Sequence, residues 1–263
     1  MYILKRSLRD RRAALSWWLV GLIVYSGFII AVWPVIDGND EFADLYADMP
    51  EGLQAMFGGD GFADFTSPVG FLNTYLFSMI LPFILTGLAV SMGASLVAGE
   101  EEDGLLDLVL SYPIQRWRLL TEKVAALVLA LVFVCSVTVI FLLVAREPVD
   151  LDIGAAGLWA AILGSGMFAL LHGLISVATG ALSGSKSAAT GFGWGVALVG
   201  YLFNVLASLD SSLDALKWMS PLYWATADSP LGGQMPGTYL LLAGVVATVA
   251  AVSLLIFQRH DLT

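Results

Sequence analysis

Residues 71–98 read FLNTYLFSMILPFILTGLAVSMGASLVA, 28 consecutive positions without an Asp, Glu, Lys or Arg. About 20 helical residues cross the roughly 30 Å hydrocarbon core of a bilayer, so this stretch is long enough to span one. Five further stretches are free of the same four residue types: 15–36, 124–145, 154–185, 187–209 and 229–258. The pattern predicts an all-α integral membrane protein, one transmembrane domain over 1–263. Its six spans are expected at 15–36, 71–98, 123–145, 154–183, 187–209 and 237–257. Composition agrees: 58% of the 263 residues are hydrophobic and 13% charged, against about 45–50% and about 25% in soluble domains. Mean hydropathy is +0.83. A soluble enzyme, a nucleic-acid-binding module and a disulfide-stapled secreted domain are excluded.

Charge between the spans sets orientation. With the N-terminus cytoplasmic, the outward segments 37–70, 146–153 and 210–236 hold 2 of the 12 basic residues, Arg146 and Lys217, and 14 of the 22 acids. That is the positive-inside distribution, and an even number of spans leaves both termini in the cytoplasm of a cell-membrane protein. The net charge of −10 therefore comes mostly from the outward face, which suits a salty exterior or the steering of cations. The basic N-terminus ahead of an apolar run superficially resembles a secretory signal. The run of about 22 residues exceeds the usual signal core of about 7–15 and has no A-x-A site, so it is expected to be retained as the first span.

The segments between the spans carry their own patterns. Residues 1–14, MYILKRSLRDRRAA, place Leu4 and Leu8 four apart among cations, the pattern of an interface helix lying against anionic headgroups. The external segment 37–70 spaces Phe42, Leu45, Tyr46, Met49, Leu53 and Met56 by threes and fours, which predicts amphipathic helices broken near Pro50. Pro82 should bend the second span. The fourth and fifth stretches are rich in glycine, which lets helices approach closely in lipid. Proline and aromatic residues over 210–236 predict two short external helices before the last span.

Residues that could carry chemistry are few. There are two histidines, His172 and His260, and one cysteine, Cys135. No metal-binding or nucleophilic arrangement has credible spacing. His172 is read as a neutral side chain bonded to a neighbouring helix, with a proton relay as the alternative. Gly180-Ala-Leu-Ser-Gly184-Ser-Lys186-Ser187 is one residue short of a phosphate-binding loop and has no preceding strand. No cofactor is expected in this chain. None of the six charge-free stretches contains a carboxylate or strong base of the kind an ion-coupled carrier needs, which directs attention to the loop after the second span. There Glu100–Asp103 precede the apolar run Leu105, Leu106, Leu108, Val109 and Leu110. A helix this apolar, expected over 100–112, would dock onto another protein.

That loop, EEEDGLLDLVLSYPIQRWRLLTEK (100–123), resembles a motif of the membrane subunits of ABC-2-type ATP-binding-cassette transporters: Glu-Glu-x-x-Gly-Thr-Leu, then Ser-x-Pro-x-x-Arg, closing on Lys. WMSPLYWATADSPL (218–231) and FQRHDL (257–262) are similar to two further segments of the family. Leu105 stands where the family usually has Thr, and His260 where it has Arg. The resemblance implies an exporter permease that works with two ATPase subunits, which would hold the ATP and Mg, and with a second, identical or homologous membrane subunit. The helix at 100–112 would be the coupling helix. Glu100, Glu101, Asp103, Gly104, Leu105, Leu106, Asp107, Leu108, Pro113 and Arg116 would form the contact with the ATPase. In that family the cargo is mostly lipids, glycolipids, polysaccharides and drugs, and some members serve metalloenzyme maturation. The spans hold scattered hydroxyls and amides, which suits a lipid-like or hydrophobic cargo. Its path is expected between the second and fifth spans of facing subunits, at Pro82, Gly195, Gly200 and Asn204. Two rival readings remain: an ATP-independent channel or carrier, which would not need the apolar loop helix, and a membrane-embedded enzyme, whose polar groups would cluster at one depth.

The charge count generates a direct test of topology. In a Cys135→Ala background, an impermeant thiol reagent applied to intact cells should label Asp60→Cys and leave Ser111→Cys unlabelled. The reverse pattern would invert the orientation.

Overall fold

The computed structural model describes residues 2–37, 50, 67–104 and 115–259. The expected helices over 42–56, most of the expected coupling helix and the closing motif from 260 lie outside them. Among the described residues there are helices and turns but no strands. We number them α1 (Tyr2–Asp10), α2 (Arg12–Ile36), α3 (Pro68–Glu102, with internal irregularities), α4 (Arg116–Ala145), α5 (Ala155–Ser183), α6 (Lys186–Leu209), α7 (Pro221–Thr226) and α8 (Thr238–Arg259). Six of these, all but α1 and α7, are long and apolar enough to cross a membrane.

Local chemistry sets several of the ends. Ser67 and Ser220 each precede a proline at the first helical position, and each side chain accepts a backbone N–H, Gly70 at 3.0 Å and Tyr223 at 3.3 Å. This is the serine cap with proline behind it that starts a helix cleanly. α5 ends where Gly184 turns left-handed at φ +60° and its N–H bonds the Gly180 carbonyl at 3.0 Å, a glycine terminus. Ser185 then opens α6, accepting the Ala188 N–H.

α3 is the irregular span. It runs through a π segment at Asn73–Phe77, a break at Ser78 and Met79, a regular helix Ile80–Ala94 and a second π segment at Ser95–Gly99. The break lies four residues before Pro82, because a proline has no N–H for the carbonyl four positions back and its ring crowds it. Met79 absorbs the bend at φ −143°, ψ −53°. The Pro82 carbonyl in turn accepts the Thr86 hydroxyl at 2.8 Å.

α3 and α5 form the centre of the bundle, with 78% and 72% of their most apolar stretches buried. α5 packs most extensively on α3, then on α8 and α6. The contact is backbone to backbone: a Cβ on Gly93 would lie 2.3 Å from the Gly173 carbonyl oxygen. Lipid tails are as apolar as leucine, so close packing rather than water exclusion holds such helices together. α6 and α8 are peripheral, at 22% and 17%.

α1 turns part of its apolar face to the bundle: Leu4 and Leu8, both partly buried, pack against the main core, Ser7 is buried, and the Leu4 N–H donates to Glu122 Oε2 of α4 at 3.3 Å. Lys5, Arg6 and Arg9 remain exposed. The segment before the last span contains three short helices rather than two: a 3₁₀ helix at Ser211–Met219, α7, and a 3₁₀ turn at Pro230–Gly232.

Adding side-chain volume at the closest approach should be costly. Gly93→Val forces the two central backbones apart, and overpacking of this kind costs about 1–3 kcal/mol or more. The thermal midpoint of the detergent-purified chain should fall clearly, whereas Gly191→Ala, where a Cβ meets nothing within 4 Å, should leave it unchanged.

Candidate functional site at the acidic end of the bundle

The second π segment of α3 delivers Glu100, Glu101 and Glu102 onto the ends of two other spans. Lys123 of α4 reaches across and donates to Glu100 Oε2 at 2.7 Å. It also donates to the carbonyl of Leu96, inside the π segment. Lys123 is 1% exposed. Glu102 Oε1 accepts the backbone N–H of Lys186 at 2.8 Å, which caps the first turn of α6. A carboxylate at a helix N-terminus is favoured by the unpaired N–H groups and the helix dipole. Glu101 lies over the turn between α5 and α6, with Oε1 3.1 Å from where a Cβ on Gly184 would sit, and its buried Oε2 has no hydrogen-bond partner among the described residues.

Three consecutive carboxylates thus face two different elements of the same chain. Glu101, expected to meet a partner's cations, is turned toward Gly184 within this chain. Asp103 and Gly104 are exposed, and Gly104 is left-handed at φ +67° where the chain leaves α3. Arg116 opens α4. Leu105, Leu106, Asp107, Leu108 and Pro113 lie outside the described residues. The cationic N-terminal region closes over this end. Burial pulls the Arg11 pKa down from its ordinary value, opposed by the Glu100 and then the Asp10 carboxylates. A small apolar cluster of Val97, Leu119, Leu120, Val177, Ala181 and Phe257 packs beneath, with Ile3 of α1 against it.

Lys123, expected as the first residue of the third span, lies within α4, which begins at Arg116, and is carried inside the bundle. The sequence held a signal for this. Leu119, Leu120, Lys123, Ala126, Leu127 and Ala130 fall on one buried helical stripe, and a lysine on such a stripe needs a partner.

The residues expected along a substrate path are not brought together. Pro82 is buried inside α3. Gly195 faces outward, and a Cβ added there would meet nothing within 4 Å. Gly200 is filled from within the chain, Pro221 Cδ of α7 lying 3.0 Å from its Cβ direction. Within this chain it is a packing glycine. Asn204 is half-buried on α6.

His172 bonds within its own helix: Nδ1 lies 2.7 Å from the Phe168 carbonyl, and among the described residues the buried Nε2 has no partner. The expected bond to a neighbouring helix is not formed among them. Geometry makes Nδ1 the protonated nitrogen, since a carbonyl can only accept. Cys135 and Met167 line an apolar groove between α4 and α5, with a cavity volume of about 230 Å³. Among the described residues no three His, Cys, Asp or Glu side chains gather as metal ligands.

The six long apolar helices define a multi-pass all-α membrane protein. The model of the ABC-2 family transporter proteins matches residues 1–262, and the chain belongs to that family. No curated protein matches the chain.

The two glycines of α6 separate packing from exposure. Gly200→Leu should lower the thermal midpoint of the purified chain, in keeping with an overpacking cost of about 1–3 kcal/mol. Gly195→Leu should leave it unchanged.

Proposed function

We propose that this chain is the permease subunit of an ATP-driven exporter. It pairs with a second membrane subunit, identical or homologous, and with two ATPase subunits that supply the hydrolysis. The observation that carries the reading is the family match over 1–262. Two structural features support it. α3 ends in carboxylates bonded to α4 and α6, so a load on the segment that follows enters the bundle directly. α6 leaves Phe192, Leu198, Leu202 and Leu206 exposed, an apolar face that suits lipid or a second membrane subunit.

In this reading the coupling helix lies after Gly104, within the expected 100–112, because 100–102 belong to α3 and Gly104 is left-handed. Leu105, Leu106 and Leu108 bury against the ATPase, and Asp103 and Asp107 meet its cations, on the cytoplasmic side of the cell membrane. ATP and Mg are bound by the partner. Closure of the ATPase pair moves the bundle halves, with the bend before Pro82 and the open face at Gly195 allowing the path to form. The cargo is lipid-like or hydrophobic, because the outward faces of the spans offer no charge to replace the water around a soluble solute.

In proteoliposomes containing the ATPase complex, a fluorescent phospholipid should cross on ATP addition and entrapped carboxyfluorescein should not. The opposite result removes the cargo assignment. Leu106→Asp, or Asp103→Lys with Asp107→Lys, should release the ATPase on purification while the bundle stays folded. A charge replacing an apolar anchor at an interface hot spot costs about 2 kcal/mol or more, roughly thirtyfold in affinity. Normal co-purification would show that this loop is not the coupling element.

A further inference from the structure

We infer that Lys123 is a positioning residue for coupling: with Glu100 and Glu102 it fixes the exit of α3, so that a displacement arriving after Gly104 passes as a rigid unit into α4 and α6. The inference rests on the reading of the chain as an ATP-driven permease and names the residues that would transmit the motion inside it.

Three observations carry it. Lys123 is 1% exposed and spends its donors on two acceptors only four residues apart in sequence, the Leu96 carbonyl and Glu100 Oε2. Those acceptors bracket most of the π segment Ser95–Gly99. A π turn has a wider ring of atoms and looser hydrogen bonding than an α-helical turn, and such turns occur mostly at functional positions. Here a buried ammonium pins it from the side. Finally, Glu102 holds the Lys186 N–H at 2.8 Å, and Lys186 is the first residue of α6. The same short stretch of α3 is therefore tied to two spans by charge-assisted bonds, which are about twice as strong as neutral ones.

Stability alone does not account for the lysine. Replacing a buried ion pair by apolar groups of similar volume is often neutral or stabilising, because desolvation offsets the attraction. A methionine at 123 would fill the same space within an apolar neighbourhood of Leu119, Leu120 and Val97. What methionine would not do is grip the Leu96 carbonyl and the Glu100 carboxylate together, and that grip sets the direction in which the chain leaves α3. Glu100 is partly exposed at 26%, so losing Lys123 leaves its charge able to reach water and does not strand it.

The test uses the full chain in nanodiscs of phosphatidylcholine and phosphatidylglycerol. In a Cys135→Ala background, spin labels at Asp103→Cys and Ser187→Cys report the distance between the α3 exit and the start of α6. The parent should give one narrow distribution. Lys123→Met and Glu100→Gln should each broaden it about twofold with elution unchanged; the thermal midpoint should hold in Lys123→Met and fall in Glu100→Gln, which leaves the buried ammonium without its counter-ion. Parent-like distributions in both variants overturn the inference. Should Lys123→Met fail to fold, Glu100→Gln, which keeps the shape of the side chain, decides alone. A second arm omits the labels and compares parent with Lys123→Met in complex with the ATPase. Co-purification and ATP hydrolysis should be retained, while fluorescent phospholipid moved per ATP falls about tenfold, a change of about 1.4 kcal/mol in the coupled step. Unchanged transport per ATP also overturns the inference. If the parent itself binds no ATPase, the permease reading fails instead, and the distance measurement separates the two outcomes.

Discussion

The bundle depends on α3 and α5 meeting backbone to backbone at Gly93 and Gly173. In lipid no hydrophobic force gathers apolar helices, so association has to come from close contact and internal hydrogen bonds. Once those two helices touch, α4 and α8 pack against α5, and the short helices of 211–232 fold back over α5 and α6. Tyr239 completes the arrangement by donating to the Ala160 carbonyl at 2.9 Å, tying α8 to α5.

The same solvent dictates how polar side chains behave. Thr86, Thr138, Ser165 and Ser176 each return their hydroxyl to the carbonyl four residues back on their own helix, at 2.8 to 3.0 Å. Such bonds satisfy a hydroxyl without a partner helix. They leave the polar groups of the spans mostly spent on the backbone. The one ammonium buried in the bundle among the described residues, Lys123, is the exception, and it is placed where the irregular end of α3 offers both a carbonyl and a carboxylate. A membrane tolerates irregular backbone only where protein covers it and rebonds its free groups. The π segment and the lysine therefore require one another: the segment exposes the acceptors, and the lysine supplies the donors.

In the reading proposed above, a permease that takes its energy from a partner would need a rigid connection between its docking segment and the spans. Carboxylates of α3 that reach α4 and the first turn of α6 provide one without any charge in the apolar faces that look outward. α1 adds to it by packing Leu4 and Leu8 inward and covering Glu122.

The sequence by itself determined the class. Uninterrupted apolar stretches longer than a bilayer is thick admit few structures other than spanning helices, and the Ser-Pro and Gly signals at 67–68, 184 and 220–221 mark ends through local chemistry alone. The motif over 100–123 indicated the family for the same reason, being contiguous. What the tertiary structure alone decided is which residues meet. Gly200 and Gly195 are alike in sequence, yet one is filled by Pro221 and the other is open, because the segment after α6 folds back over only one of them. Glu100, Glu101 and Glu102 read as one acidic run, yet each has a different neighbour, because adjacent residues on a helix point about 100° apart. Lys123 read as the edge of a span and proved to be buried; the apolar stripe around it signals the burial, but its pairing with Glu100, 23 residues away in sequence, depends on packing that no local pattern encodes.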